Sequence, residues 1–152
     1  MSTDAVIVGG GVAGLTAATY TARAGVDTTI VTDGESTLAR NAHLENVPGF
    51  PRGVNARTFL ELCTEGAQEA GATFEEGRVT RAEQTDDGFT VETADGTVFA
   101  TDTVIAASWS DASYLADIDG VGFLDRGSKS FIDADEAGRT GVDGLYAAGR
   151  LA

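Results

Sequence analysis

A glycine-rich segment near the N-terminus, DAVIVGGGVAGLTAATYTARA, constrains the fold more than any other part of this sequence. Residues 5–8 form a short apolar run, Gly9, Gly11 and Gly14 follow at G-x-G-x-x-G spacing, and residues 15–24 contain no helix breaker. This order predicts a buried strand, a tight turn and a helix, as in a dinucleotide-binding βαβ unit. Gly9 permits the turn, Gly11 lets the backbone approach a pyrophosphate, and Gly14 allows helix and strand to pack closely.

The residues after this unit favour a nucleotide site over a unit whose glycines serve packing alone. A second apolar run, residues 28–31, follows the predicted helix and is succeeded by Thr32 and Asp33. An acidic side chain near the end of the second strand accepts hydrogen bonds from the adenosine ribose. Thr32 competes with Asp33 for this role, because sequence alone locates strand ends only to within about two residues.

Charge is the strongest compositional signal in the 152 residues, a length that predicts a single domain over 1–152. The chain has 24 acidic and 10 basic residues, a net charge of −14, and Lys129 is its only lysine. The arginines form no basic stripe, which argues against a nucleic-acid partner. Acidic residues spread over the whole sequence favour a halophilic protein, and an ordinary acidic protein is the alternative.

Three further features narrow the class of protein. The apolar runs are much shorter than the roughly 18 residues of a membrane span, so no membrane interaction is expected. The N-terminus shows no secretory signal, which predicts a cytoplasmic location. Cys63 is the only cysteine, which excludes a disulfide framework within the chain, and no metal site is predicted.

Periodicity in the middle of the sequence changes from helical to alternating. Asn55 is the expected N-cap of an amphipathic helix that ends at Gly71. The period then becomes two, with hairpin-turn sequences at 86–88 and 94–96. This alternation predicts an antiparallel β-meander over about 72–99.

Three more strands complete the predicted fold, at residues 103–107, 131–133 and 145–148. Residues 108–125 carry no clear periodicity and are expected to form a loop. The fold class predicted is therefore α/β, a Rossmann-like three-layer nucleotide-binding domain with an antiparallel meander.

Four stretches, which together span most of the chain, resemble the FAD-binding half of the thioredoxin reductase family, the small pyridine nucleotide-disulfide oxidoreductases. VIVGGGVAGLTAA resembles the glycine turn of the family, and LENVPGFP resembles its xENxPGFP loop. DTVIAASWSDASYL resembles its D-x-x-I-x-A-T-G-A strand, and GVDGLYAAGRL resembles its last strand, which ends in A-A-G-D. The NADPH domain of the family is missing, because the sequence passes from Leu115 to Phe131 through a short loop.

The resemblance implies an FAD/NAD(P)-binding domain with FAD as the cofactor, the alternative being NAD(P) or another ADP-containing nucleotide. It places Gly11, Val12 and Ala13 along the pyrophosphate, and Thr32 and Asp33 near the adenosine ribose. Asn46 is placed near the ribityl or flavin part, and Val79 contacts the adenine through its backbone. Ala107, Ser108 and Gly149 are placed along the approach to the flavin.

The departures from the family fall on the flavin side. There is no C-x-x-C and no second G-x-G-x-x-G. Ser108-Trp109 stands where the family has Thr-Gly, and Arg150 stands where it has an aspartate that accepts hydrogen bonds from the ribityl chain. Arg150 is expected to pair with the pyrophosphate or with the acids near Asp33. Trp109 is expected to pack beside the flavin or to fill its space. The sequence ends at Ala152, where the family continues into a helix.

Two hypotheses of function follow. The first is an FAD-binding flavoprotein, an oxidoreductase or electron-transfer subunit that needs a redox partner protein or a second copy of itself. The second is a non-redox module that binds the ADP part of a nucleotide for regulation or assembly. A weaker third hypothesis is a fragment of a longer oxidoreductase. The sequence identifies no catalytic acid, base or nucleophile, and His43 and Cys63 read as structural residues.

Overall fold

A seven-stranded mixed sheet organises the chain in this computed structural model, which describes residues 1–152. Two α-helices accompany the sheet, α1 (Val12–Arg23) and α2 (Ala56–Glu69), with short 3₁₀ turns at Thr37–Arg40, Ser113–Leu115 and Gly149–Leu151. The strands are β1 (Ser2–Val8), β2 (Thr28–Thr32), β3 (Thr73–Glu76), β4 (Val79–Thr85), β5 (Gly88–Thr93), β6 (Val98–Ala106), β7 (Phe123–Arg126), β8 (Lys129–Ile132) and β9 (Leu145–Ala147).

The sheet has the order β3-β2-β1-β6-β5-β4, and β9 also pairs with β6. The pairs β1–β2, β2–β3, β1–β6 and β6–β9 are parallel, whereas β5 is antiparallel to both β6 and β4. β6 is the strand that joins the two parts. Its first half pairs with β5, where Phe89 lies opposite Thr101, and its second half pairs with β9, where Val104 lies opposite Leu145.

The predicted meander begins later than the alternation suggested. β3 pairs in parallel with β2 at the outer edge of the sheet, so the antiparallel meander contains β4, β5 and β6 and starts at Val79. Alternation identifies a strand but not its partner, and here the partner is specified by tertiary contacts. The Thr29 and Thr73 hydroxyl oxygens lie 3.0 Å apart across this pair.

Two other sequence-based boundaries are wrong. The last part of the predicted meander, up to residue 99, and the predicted strand at 103–107 lie in one strand, β6, because the exposed Asp102 interrupts the apolar pattern without ending the pairing. The region 108–125, predicted to be a loop, includes a 3₁₀ turn and β7, which forms an exposed hairpin with β8.

Apolar residues cover both faces of the sheet, which confirms the α/β fold. Alternation along β1 sends Val6 and Val8 into the larger cluster and Ile7 into the smaller one. The smaller cluster lies under the helices and includes Leu15 of α1 and Ala67 of α2. The larger cluster lies on the other face, where residues of β1, of the meander strands and of the segment after β6 pack together. The helices, the mixed sheet and the segments that follow β6 therefore form three layers.

The start of α2 is also as predicted. The Asn55 Oδ1 atom accepts hydrogen bonds from the backbone N–H groups of Arg57 at 2.9 Å and Thr58 at 3.3 Å. These bonds satisfy two donors that have no acceptor inside the helix. Neither α1 nor α2 combines the length and the apolar character that a membrane crossing requires.

Candidate cofactor site

A cleft of about 980 Å³ opens where the carboxyl ends of the parallel strands β1, β2 and β6 meet. Ligands of open α/β sheets bind at this edge, and the volume is at the upper end of the roughly 300–1,000 Å³ found for ligand sites. The cleft is lined by the glycine turn, the segment after β2, the residues between β3 and β4, the loop after β6, and Arg150.

Two glycines of the turn are required by the fold. Gly9 has φ of +112°, and a Cβ atom at this position would lie 2.6 Å from the Ala107 carbonyl oxygen. A Cβ atom at Gly14 would overlap the Gly9 carbonyl oxygen. Gly9 therefore allows the backbone to leave β1, and Gly14 allows α1 to pack against the turn, as the sequence predicts.

Gly11 is different, because nothing in the protein requires glycine there. Its backbone is extended, with φ of −80°, and an added Cβ atom would contact only the Ser36 hydroxyl oxygen, at 3.5 Å. The missing side chain leaves open space at the start of α1. The N–H groups of Val12, Ala13 and Gly14, in the first turn of α1, have no acceptor within the helix, and the N-cap Gly11 has no side chain to supply one. This cradle suits an anion.

The two predicted ribose contacts, Thr32 at the end of β2 and Asp33 just after it, both line the cleft. Asp33 is exposed and forms no ion pair, whereas the Thr32 hydroxyl donates to the Gly34 carbonyl at 3.4 Å. The next acid, Glu35, is paired with Arg57 of α2. Of the two predicted ribose contacts, Asp33 is the charged acceptor and its side chain makes no hydrogen bond within the protein, which favours it for that role.

An ion pair lies at the opposite wall, beside the half-buried Val79. Arg78, just before β4, places Nη2 3.4 Å from Oδ2 of Asp111 in the loop after β6. Hydrogen bonds from Ser113 and the nearby Arg78 guanidinium hold the pKa of the Asp111 carboxyl below its ordinary value. The pair connects two elements that lie far apart in the sequence, so no local pattern of residues predicts it.

The loop after β6 is fixed by hydrogen bonds at the base of the cleft. Ser108 donates from Oγ to the Asp111 carbonyl at 2.6 Å, and the same Oγ lies 3.0 Å from the Tyr114 hydroxyl. Burial raises the pKa of the Tyr114 hydroxyl far above its ordinary value, so the ring stays neutral. Ala107 and Ser108 therefore present a rigid wall to the cleft.

Arg150 and Trp109, the two residues that depart most from the family motifs, contact one another. The Arg150 Cζ atom lies 4.6 Å from the centre of the Trp109 ring, within cation–π range. Trp109 has φ of +63° and is the only non-glycine residue with positive φ. It occupies the position at which the thioredoxin reductase family, which the sequence resembles, has glycine. Arg150 forms no ion pair with Asp33 or any other carboxylate. The expectation that it pairs with the acids near Asp33 is therefore wrong.

The structure brings most of the predicted site residues together. Those that line the cleft are Gly9, Gly11, Val12, Ala13, Thr32, Asp33, Val79, Ala107, Ser108, Trp109 and Arg150. Gly14 and Gly149 lie behind the lining, and a Cβ atom at Gly149 would come within 2.6 Å of the Ala13 Cβ. Asn46 is exposed and lies outside the cleft lining.

Sequence reasoning missed several lining residues, chiefly Gly10, Ser36, Thr37, Leu38, Arg40, Asn41, Arg78, Asp111 and Tyr114. Most of them belong to the polar connection after β2, which has no periodicity to interpret. One local signal was available, because Ser36 caps the 3₁₀ turn Thr37–Arg40 by accepting from the Leu38 N–H at 3.3 Å. A capping serine predicts an ordered turn at the edge of the site.

The cleft fits a dinucleotide on its own geometry. One space is surrounded by an open cradle at Gly11 for the phosphates, the free Asp33 carboxylate for the ribose and a wall at Val79 for the base. Arginine side chains of Arg40, Arg78 and Arg150 line it together with the acids Asp33, Glu35 and Asp111. FAD, whose diphosphate needs the cradle and whose ribose needs the carboxylate, matches this donor set.

Comparison with known families agrees with this geometry. Residues 43–152 match the family described as Pyridine nucleotide-disulphide oxidoreductase, and residues 4–43 match the FAD binding domain. The thioredoxin reductase of Aquifex aeolicus is 37% identical over 107 residues, covering 69% of this chain and 33% of that protein. That of Rickettsia typhi is 26% identical over 117 residues, covering 76% of this chain and 38% of that protein.

Solved structures show the same relationship. A thioredoxin reductase from Gloeobacter violaceus superposes with a TM-score of 0.67 at 31% identity, covering 72% of this chain and 35% of that chain. The oxidoreductase from Agrobacterium tumefaciens, at 16% identity, shares the fold with a TM-score of 0.86 and covers 100% of this chain and 90% of that chain. The chain spans about a third of the length of the curated relatives, with 33% of the Aquifex aeolicus protein covered. It belongs to the pyridine nucleotide-disulphide oxidoreductase family, as a thioredoxin-reductase-like domain that binds FAD.

Proposed function

We propose that this chain is the FAD-binding part of an oxidoreductase or electron-transfer assembly, and that it works with a redox partner protein or a second copy of itself. The observation that carries the proposal is the open cradle at Gly11, which the fold does not need and a diphosphate does. FAD supplies the redox chemistry when it is bound. The residues of this chain bind and orient it.

Each wall of the cleft has a role in this proposal. The N–H groups of Val12 and Ala13 hold the phosphates at the positive end of α1. Asp33 accepts from the adenosine ribose, and the backbone at Val79 meets the adenine. Ala107, Ser108 and Trp109 lie along the approach to the flavin, with Gly149 supporting the turn from behind. Asn46, on the exposed loop before α2, is the remaining proposed ribityl contact.

The dependence on a partner follows from the cysteine content of this chain. Its one cysteine, Cys63, packs against the small core under the helices and is absent from the cleft lining. Burial raises the pKa of the Cys63 thiol, which disfavours the reactive thiolate. One such thiol cannot form a dithiol within the chain. A redox partner protein or a second copy of this chain therefore has to exchange electrons with the bound cofactor.

The second hypothesis, a non-redox module for an ADP-containing nucleotide such as NAD(P), is not favoured by the comparisons, which indicate FAD. A high-salt cytoplasm is the proposed location. The support for it is the net charge of −14 with a single lysine.

The visible absorption spectrum of the purified chain in molar salt tests the proposal. We expect flavin bands that stay with the protein through gel filtration, either directly or after incubation with FAD. Free FAD run on the same column is the control, since unbound cofactor elutes separately. A colourless protein that binds ADP but never retains FAD would support the non-redox hypothesis instead.

A further inference from the structure

Arg150 is a cation at the cleft wall whose donors are unused within the protein. Its guanidinium makes no hydrogen bond and no ion pair within the protein, and it lies over the face of the Trp109 ring in a cation–π contact. It differs from Arg78, which lines the same cleft and is paired with Asp111. A guanidinium carries five N–H donors and suits phosphate recognition. Arg150 is therefore available to an anion that enters the cleft.

The position of Arg150 in the fold indicates which anion. Its neighbour Gly149 is in contact distance of Ala13, since a Cβ atom at Gly149 would lie 2.6 Å from the Ala13 Cβ. Ala13 is in the first turn of α1, and both Ala13 and Arg150 line the same cleft. The 3₁₀ turn that carries Arg150 thus lies against the uncapped helix start, and the cation adds to the positive potential of the same end.

Trp109 holds Arg150 in this position. The ring is half-exposed, with 48% of its surface accessible, and the cation lies 4.6 Å from its centre. Trp109 keeps a left-handed backbone conformation, with φ of +63°, that is unfavourable for a bulky side chain. Such strain is retained where surrounding structure fixes it, and here the result is an aromatic surface beneath the guanidinium.

We propose that Arg150, oriented by Trp109, is a specificity-determining contact for the diphosphate of the cofactor. The proposal rests on the proposed function and deepens it. Arg150 recognises the diphosphate that FAD and ADP have in common. FAD and ADP therefore share this contact, and riboflavin, which has no phosphate, lacks it.

Calorimetric titration of FAD, ADP and riboflavin into the whole chain tests this. Arg150→Gln keeps the size and a polar end but removes the charge. We expect this change to lower the affinities for FAD and for ADP by the same factor, about tenfold or more, because a charge-assisted contact contributes about 1.5–3 kcal/mol. Arg126→Gln is the matched control, since Arg126 also lies over an aromatic ring, that of Phe131, outside the cleft. It should change neither affinity.

The role of Trp109 is tested with the same titrations. Trp109→Ala should weaken ADP binding about two- to fivefold, the value of an exposed cation–π contact, and should weaken FAD binding at least as much, because Trp109 also lies along the approach to the flavin. In the double variant with Arg150→Gln, the tryptophan change should have no further effect on ADP affinity, because toward the diphosphate the two residues act as one unit. Trp109 is the only tryptophan, so its fluorescence also reports binding in the wild type and in Arg150→Gln.

Three results would overturn the inference. Loss confined to FAD would place Arg150 at the ribityl side. Equal affinities in Arg150→Gln and Arg126→Gln would make Arg150 structural. Additive losses of ADP affinity in the double variant would separate Trp109 from Arg150. If the wild type binds neither FAD nor ADP, the proposed function fails as well, whereas wild-type binding with an unaffected Arg150→Gln leaves the proposed function intact. Circular dichroism of each variant verifies that it folds.

Discussion

The three glycines of the turn differ in whether the fold or the cofactor requires them. Gly9 and Gly14 are fixed by the protein itself, because a side chain at either would collide with backbone. Gly11 has an ordinary φ of −80° and free space around it. A substitution at Gly11 can therefore test ligand binding with little effect on folding.

We predict that Gly11→Ala lowers FAD affinity about 10- to 150-fold, as expected when charge-assisted backbone contacts worth about 1.5–3 kcal/mol are lost. Its thermal stability should change little. Alanine is a poorer N-cap than glycine, but it also reduces the entropy of the unfolded chain, and these effects of up to about 1 kcal/mol oppose each other. Calorimetry and thermal melting measure the two quantities.

Gly66→Ala is the control for this prediction. Gly66 lies in α2, and an added Cβ atom there would have no neighbour within 4 Å. The change should stabilise the helix by up to about 1 kcal/mol and leave FAD affinity unaltered. A Gly11→Ala variant that binds FAD as tightly as Gly66→Ala would contradict the cradle.

Tyr114 gives a prediction for alkaline pH. Burial raises the pKa of its hydroxyl above the ordinary value of 10.0, so above that pH the unfolded chain loses a proton that the folded chain keeps. Stability that is fully present below pH 10 should therefore fall as the pH rises further. Tyr114→Phe removes this dependence and should flatten the decline in melting temperature between about pH 10 and 11 relative to wild type. Identical slopes in the two proteins would contradict it.

At the scale of elements, the sequence predicted local structure better than pairing. The glycine turn, α1, β2 and the Asn55 cap of α2 all have local signals, and each is found where expected. The parallel pairing of β3 with β2 has none, since the same alternation suits either sheet direction. In the site, the turn and Asp33 were readable for the same reason, whereas the Arg78–Asp111 pair depends on tertiary structure.

The cap of α2 is a testable element. Asn55→Ala removes two bonds to helix N–H groups and one from Nδ2 to the Ala42 carbonyl at 3.1 Å. We expect a loss of about 0.5–2 kcal/mol, or a melting temperature lower by roughly 2–4 °C per kcal/mol. Asn46→Ala is the matched control, because Asn46 is exposed and its side chain makes no hydrogen bond. It should stay within about 0.5 kcal/mol of wild type.

The Asn46 variant has a second use. If Asn46 contacts the ribityl or flavin part of FAD, Asn46→Ala lowers the affinity for FAD and leaves the affinity for ADP unchanged. The Asn55→Ala comparison should show the opposite pattern, a stability loss with the affinity of the folded protein preserved. Equal FAD affinity in Asn46→Ala and wild type would remove Asn46 from the proposed site.

The whole molecule is expected to be an incomplete reductase by itself. It has one cysteine, and its single G-x-G-x-x-G turn is assigned to FAD. The isolated chain, loaded with FAD and supplied with NADPH and a disulfide substrate, should therefore turn over no faster than free FAD at the same concentration. A complete thioredoxin reductase is the positive control. Turnover well above the free-flavin rate would contradict the dependence on a partner.

Salt should determine the stability of the whole molecule. The net charge is −14, and the acids greatly outnumber the few exposed arginines that form ion pairs. The Debye length increases from about 3 Å at 1 M salt to about 30 Å at 0.01 M, so in dilute buffer the carboxylates repel each other across much of the surface. We expect the melting temperature to fall as potassium chloride is reduced, and an unchanged value would contradict the halophilic interpretation.

A local charge change separates screening from other effects of salt. Acidic residues meet near the turn between β4 and β5, where Glu83, Asp86, Asp117 and Asp119 surround one shallow depression. The double change Asp86→Asn and Asp119→Asn removes two of these charges at exposed positions. In dilute buffer it should raise the melting temperature, because repulsion there is unscreened, and in molar salt it should have almost no effect. An equal rise in both buffers would show that the salt effect comes from stronger apolar burial and not from charge.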